Sequence, residues 1–116
     1  MIIMPNVTPF RRPIRWDNLR ADEAVAIVRT RAVQSGNVIF TEHAWERVDQ
    51  RDITRNDIMM ALRTGQCDGA PKKNDKGDWQ VIVVKRLPGR REVGVVTVII
   101  KDDEKLIVRT VQWMDL

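Results

Sequence analysis

The sequence predicts an α+β domain in which two to three N-terminal helices pack on an antiparallel sheet of three to four strands. Three observations predict it. Up to Gly65, apolar residues recur at helical spacing between capping signals. From Trp79 onward the apolar period changes to two. The later apolar runs are separated only by Pro88-Gly89 and Asp102-Asp103, links short enough to join antiparallel neighbours.

The elements follow in order. Pro5, Pro9 and Pro13 lack backbone donors and bar a continuous helix. With Arg11, Arg12 and Arg15 nearby, residues 1–17 read as an extended basic arm ahead of a single domain over 18–116. Such an arm is either an ordinary loose terminus or a segment that docks on a partner or nucleic acid. A first helix is expected from Asn18 to Gln34, with Ala21, Ala24, Ile27, Val28 and Ala32 at helical spacing and Ser35-Gly36-Asn37 as its stop. Arg31 falls within the apolar arc, where a guanidinium wants an anion or a carboxylate. Val38-Ile39-Phe40 is a short apolar connector or strand. Thr41 caps a second helix ending near Arg51, and Thr54 with Asp57 forms a capping box opening a third. Ile58, Met59, Ala61 and Leu62 supply its buried face, and Gly65 ends it.

Strands are expected over Trp79 to Arg86, Glu92 to Lys101 and Lys105 to Trp113. Val81 and Val83 face one way, Ile82 and Val84 the other. Val93 to Val96 and Val98 to Ile100 are apolar on both faces. An antiparallel sheet with one wet face would alternate more cleanly, so both faces want cover. The helices cover one. The arm, a second copy or a cognate partner is expected over part of the other, unless this is simply the central strand of a curled sheet.

Composition narrows the class. At 116 residues and 43% hydrophobic, the chain suits one globular domain with a core of its own. The lone Cys67 excludes an internal disulfide framework, and one Cys with one His falls short of a usual zinc site. No cofactor or metal is expected. No apolar run approaches a membrane span, and Met1 to Pro5 lacks the form of a signal segment, so a cytoplasmic location is expected. The net charge of +4 and pI near 9.7 fit a polyanionic partner, although much of that charge is intermixed with acids as an ordinary soluble surface.

Thr41 to Gly65 carries the most chemistry. It holds the only histidine, followed by Arg47 and Arg51 at four-residue steps. On a helix these three lie about 40° apart in succession. With His43 at the origin of the helical wheel, Ala44, Val48 and Trp45 follow one another round the adjoining arc, the expected buried stripe. His43, Arg47 and Arg51 then flank the core edge. They are either cations draped over it or a phosphate-holding, proton-handling group.

The pattern Phe40-Thr41-x-His43-Ala44-x-Glu46-Arg47-x-x-x-Arg51-x-Ile53-Thr54-x-x-Asp57-Ile58-x-x-Ala61-Leu62-x-x-Gly65, followed by three apolar strands, resembles domain-of-unknown-function family 4258. That is a group of small bacterial proteins compared with RelE and BrnT ribonuclease toxins. The resemblance spans about residues 19–113 and implies a RelE-like plan. It also implies a metal-independent endoribonuclease or RNA-binding protein of a toxin–antitoxin-like system, held by an antitoxin-like protein or pairing with itself through the sheet.

His43, Arg47 and Arg51 carry over as the catalytic positions. The chain has no tyrosine, so any tyrosine-based version of toxin chemistry is unavailable. RNA cleavage without a metal needs a base for the 2′-hydroxyl and cations for the phosphorane charge. His43 is the side chain whose ordinary pKa lies near neutrality, and Arg47 and Arg51 could clamp phosphate. Arg31, Lys85 and Arg109 are the expected further phosphate or RNA contacts. Lys85 and Arg86 project to opposite sheet faces, so both cannot line one site. Two non-catalytic readings compete. The second and third helices could form a helix-turn-helix with Arg55, Asn56 and Arg63 toward DNA. Alternatively, the apolar sheet face could make this a protein-interaction module.

Overall fold

A computed structural model describes residues 15–89 and 91–115. The expected arm therefore lies outside the described residues up to position 14. Arg15 leads into a 3-10 turn at Trp16–Asn18. The Trp16 indole donates to the Gly77 carbonyl at 2.7 Å, and the Trp79 indole donates to the Trp16 carbonyl at 2.6 Å. This turn is thus fastened to the start of the sheet.

Three helices follow, α1 (Ala21–Ala32), α2 (Glu42–Arg51) and α3 (Arg55–Thr64). Six strands accompany them: β1 (Val38–Phe40), β2 (Gln66–Cys67), β3 (Lys72–Lys73), β4 (Trp79–Arg86), β5 (Glu92–Ile99) and β6 (Leu106–Trp113). The α+β class holds, with two corrections. The sheet has six strands, where three to four were expected, in the order β1-β6-β5-β4-β2 with β3 also beside β4. Its three short members run two or three residues, too few to show a period of two. The helices also do not all precede the sheet, because β1 lies between α1 and α2 and pairs parallel to β6. The central meander β4-β5-β6 is antiparallel, as its short turns require.

The first helix begins at Ala21, later than the expected Asn18. The Arg20 amide donates to the Glu23 carboxylate at 3.0 Å and marks the start, while residues 16–18 belong to the separate turn. The second and third helices start as their caps dictate. Thr41 Oγ1 accepts from the Ala44 amide, and Thr54 and Asp57 each accept from the other's amide at 3.0 Å.

Register sorts the sheet into two faces. Trp79, Val81 and Val83 align with Ile99, Thr97 and Val95, and these with Leu106, Val108 and Val111. This face is buried against Val28 of α1, Ala44 of α2 and Ile58 and Leu62 of α3. The opposite face carries Ile82, Val84, Val96 and Ile107, all half-buried, and Ile39, 46% exposed. Two features trim its exposure. Met114 packs over Gly94, and Arg109 reaches Gln80 Oε1 at 2.6 Å. Arg109 is the extra residue at an irregularity: Val96 pairs with Thr110, whereas Thr97 pairs with Val108.

α1 and α3 close each other's ends. Arg29 of α1 donates to the Gly65 carbonyl at 2.7 Å, just past the end of α3. Arg63 of α3 donates to the Ala32 carbonyl at 2.8 Å, in the last turn of α1. Carbonyls at a helix end lack intrahelical partners and carry partial negative charge, so a guanidinium satisfies both needs.

Gly65 ends α3 for a different reason than a left-handed cap. Its φ of −82° suits any residue. A Cβ there would stand 2.5 Å from both the Ala61 and the Val84 carbonyl oxygens. Glycine lets the helix end settle directly against β4. Gly65→Ala is expected to destabilise the fold by about 1–3 kcal/mol through forced backbone displacement, read as a lower denaturant midpoint. Arg29→Ala and Arg63→Ala are each expected to cost about 1–3 kcal/mol, since each leaves a helix-end carbonyl without its charged donor. Chemical denaturation of the two variants checks this.

Candidate functional site

The site begins with how α2 is hung. β1 covers only the first part of β6. Where β1 ends, the Thr41 amide donates to the Val108 carbonyl and the Thr41 hydroxyl to the Arg109 carbonyl, both at 3.1 Å. At the other end of α2, Arg51 Nη1 donates to the Val111 carbonyl at 2.7 Å, and the Trp113 indole donates to the Arg51 carbonyl at 2.8 Å. The helix thus lies fastened to β6 at both ends.

That arrangement divides the three expected catalytic residues. The drift of about 40° per four residues carries Arg51 to about 80° from His43, between Arg47 and Ala44 and well inside the buried arc. Its guanidinium is accordingly spent on a sheet carbonyl. His43 stays at the solvated end of the drift, with its side chain 52% exposed. Arg47 lies between and is half-buried. Arg47 Nε donates to His43 Nε2 at 3.2 Å, and Arg47 Nη1 donates to Gln50 Oε1 at 2.5 Å. An arginine nitrogen can only donate, so Nε2 is the acceptor in this bond. Nδ1 lies 4.0 Å from Glu46 Oε1. Trp45, expected in the buried stripe, is 44% exposed. Phe40, on β1, stacks against it and takes the place of a core contact.

Arg31, Lys85 and Arg109 lie elsewhere. Arg31 Nη1 donates to the carbonyls of Ile100 and Lys105, at 2.7 and 2.9 Å, and so ties α1 to the β5–β6 turn. The anion or carboxylate expected for it is replaced by two carbonyls. Burial lowers its pKa from the ordinary arginine value, opposed by Asp103 and Glu104 nearby. Lys85 is half-buried on the helix-covered side of the sheet, opposite Val93. Arg109 spans the open face to Gln80. Of the six residues, the structure joins only His43 and Arg47 by a direct side-chain bond.

Sequence reasoning missed Arg91, whose guanidinium lies 4.0 Å over the Trp113 ring and 3.6 Å from Asp115. Its position two residues after a Pro-Gly turn, far in sequence from Trp113, gives no local signal. Burial pushes the Cys67 thiol up to about 11, so at neutral pH it is a thiol and not a nucleophilic thiolate. The helix-turn-helix reading meets an obstacle in α3, which buries Ile58, Met59, Ala61 and Leu62 and commits Arg63 to α1. Among the described residues, no group of three or more His, Cys, Asp and Glu is gathered as for a metal ion, and no helix is long and apolar enough to cross a membrane.

Arg51→Ala is expected to act on the fold. Losing a charged donor to the Val111 carbonyl should cost about 1–3 kcal/mol, seen as a lower denaturation midpoint.

No curated protein and no solved structure matches the chain. The model of the family described as Domain of unknown function (DUF4258) matches residues 40–113, from the last residue of β1 to the end of β6. The match takes in α2 with His43 and Arg47, α3 and the whole meander, and the chain belongs to that family.

Proposed function

We propose that the chain acts on RNA through the His43–Arg47 pair of α2, as a toxin-like endoribonuclease that needs no metal. The observation that carries this reading is the pair itself. A proton-handling imidazole stands in solvent, hydrogen-bonded at 3.2 Å to a guanidinium that suits a phosphate. The RelE and BrnT resemblance suggested by the sequence motif and the basic balance point the same way, and without a tyrosine the catalytic role would rest on His43.

The chemistry follows from the hydrogen bonds. Arg47 occupies the Nε2 lone pair until a phosphate draws the guanidinium away. Freed Nε2 then accepts the proton of the 2′-hydroxyl. The 2′-oxygen attacks the adjacent phosphorus, forming a 2′,3′-cyclic phosphate, and the 5′-oxygen leaves with a proton from solvent. Arg47 holds the phosphorane charge. Substrate binding thereby switches on its own base.

The test is an assay on mixed single-stranded RNA with a chelator present. The parent protein should cleave. His43→Gln should lose on the order of 10²–10⁴-fold in rate while keeping most of its RNA affinity. Arg47→Ala should bind RNA more weakly and with a salt slope shallower by about one phosphate contact. No cleavage by the parent, or equal cleavage by His43→Gln, sinks the enzymatic reading. Salt-dependent binding without cleavage would leave an RNA-binding module.

A second reading, an interaction module, is favoured by one observation. Ile39, Ile82, Val84, Val96 and Ile107 line one incompletely covered sheet face. An antitoxin-like protein or a second copy is the partner this reading calls for. Sedimentation showing a strict monomer, alone and with a candidate antitoxin, would remove it.

A further inference from the structure

α2 carries a second outward face, turned away from His43 and Arg47. Round the helical wheel Trp45, Asp49 and Glu42 succeed one another on the side opposite Arg51. The Trp45 ring is held by Phe40, with centroids 4.5 Å apart and planes at 22°. The stack braces the indole from within while the residue stays 44% exposed. Glu42 and Asp49 stand three residues before and four after Trp45, the two spacings that make neighbours on a helix surface. Both are exposed, and among the described residues neither has an ion pair. A chain of net charge +4 therefore places an exposed aromatic ring between unpaired carboxylates.

We propose that this face receives an arginine-bearing segment of a partner protein. A guanidinium is planar and weakly hydrated, so it can lie flat on the indole while its edge donates to carboxylates. Glu42 and Asp49 stand where those donors would reach. Charge complementarity sets the partner class. An RNA phosphate is repelled here, whereas an arginine finds both a ring and counter-charges. α2 thus has an anion-binding side and a cation-binding side, and the two ligands need not compete. The inference does not rest on RNA cleavage, since it uses none of the residues placed in that chemistry.

The test titrates the full chain with a short arginine-rich peptide, its lysine counterpart and its glutamine counterpart. Binding is followed by labelled-peptide anisotropy and by the Trp45 indole N–H resonance. The arginine peptide should bind saturably and shift that resonance. The lysine peptide should bind more weakly, and the glutamine peptide should not bind. Trp45→Ala should weaken binding roughly 3–30-fold. Glu42→Gln with Asp49→Asn, a purely surface change, should weaken it and flatten its salt dependence. Absence of saturable binding, equal affinity for the three peptides, or unchanged affinity in both variants overturns the proposal. So does a Trp45 resonance that responds to RNA instead.

Discussion

Arginine-to-carbonyl hydrogen bonds hold this fold together at the places where regular structure runs out. Helices end with carbonyls that have no intrahelical partner, and a strand next to a short neighbour keeps carbonyls that no strand answers. Arg29 and Arg63 answer the first need reciprocally, each reaching from one helix to the end of the other. Arg51 answers the second along β6, and Arg31 does the same at the β5–β6 turn. Each bond joins elements far apart in sequence, so the helix layer is positioned over the sheet by discrete polar contacts as well as by the apolar core. A guanidinium suits this role because it stays charged when half-buried and its donors fan out in fixed directions.

The same bonds take up much of the basic composition within the fold. Arg29, Arg31, Arg51 and Arg63 are occupied inside the architecture, and Arg109 and Arg91 are engaged with Gln80 and with Trp113 and Asp115. Functional charge is better judged by which cations keep an open approach. On α2 the His43–Arg47 pair lies on one side and the Trp45 ledge with its carboxylates on the other.

What is legible in the sequence follows from local physics. The Thr41 and Thr54 caps, the three long strands and their turns are each decided by residues within a few positions of one another, and they stand as read. The short strands β1, β2 and β3 are not all legible, because two or three residues carry no periodicity and pair only once the long strands exist. The fate of Arg51 is partly written in the wheel, where the steady drift of the four-residue steps moves it into the buried arc. Its partner, the Val111 carbonyl, lies on a distant strand and has no local signature. Trp45 shows the converse. Its apolar bulk suggests the core, but β1 brings Phe40 to it, and stacking substitutes for burial. Gly65 reads correctly as a helix end, yet its cause is crowding by β4, a tertiary fact with no mark in the neighbouring residues.

The way α2 is hung on β6 bears on how the chain behaves in company. The outer margin of a sheet is ordinarily an invitation to another strand. Here that margin is divided: three residues of β1 flank its first part, and beyond them side chains and caps of a helix take up the carbonyls of Arg109 and Val111. An incoming strand finds no continuous row of free backbone groups on that flank. Self-association of this protein by growth of its sheet is thereby discouraged on the β6 side, and contacts with other molecules are steered toward side-chain surfaces.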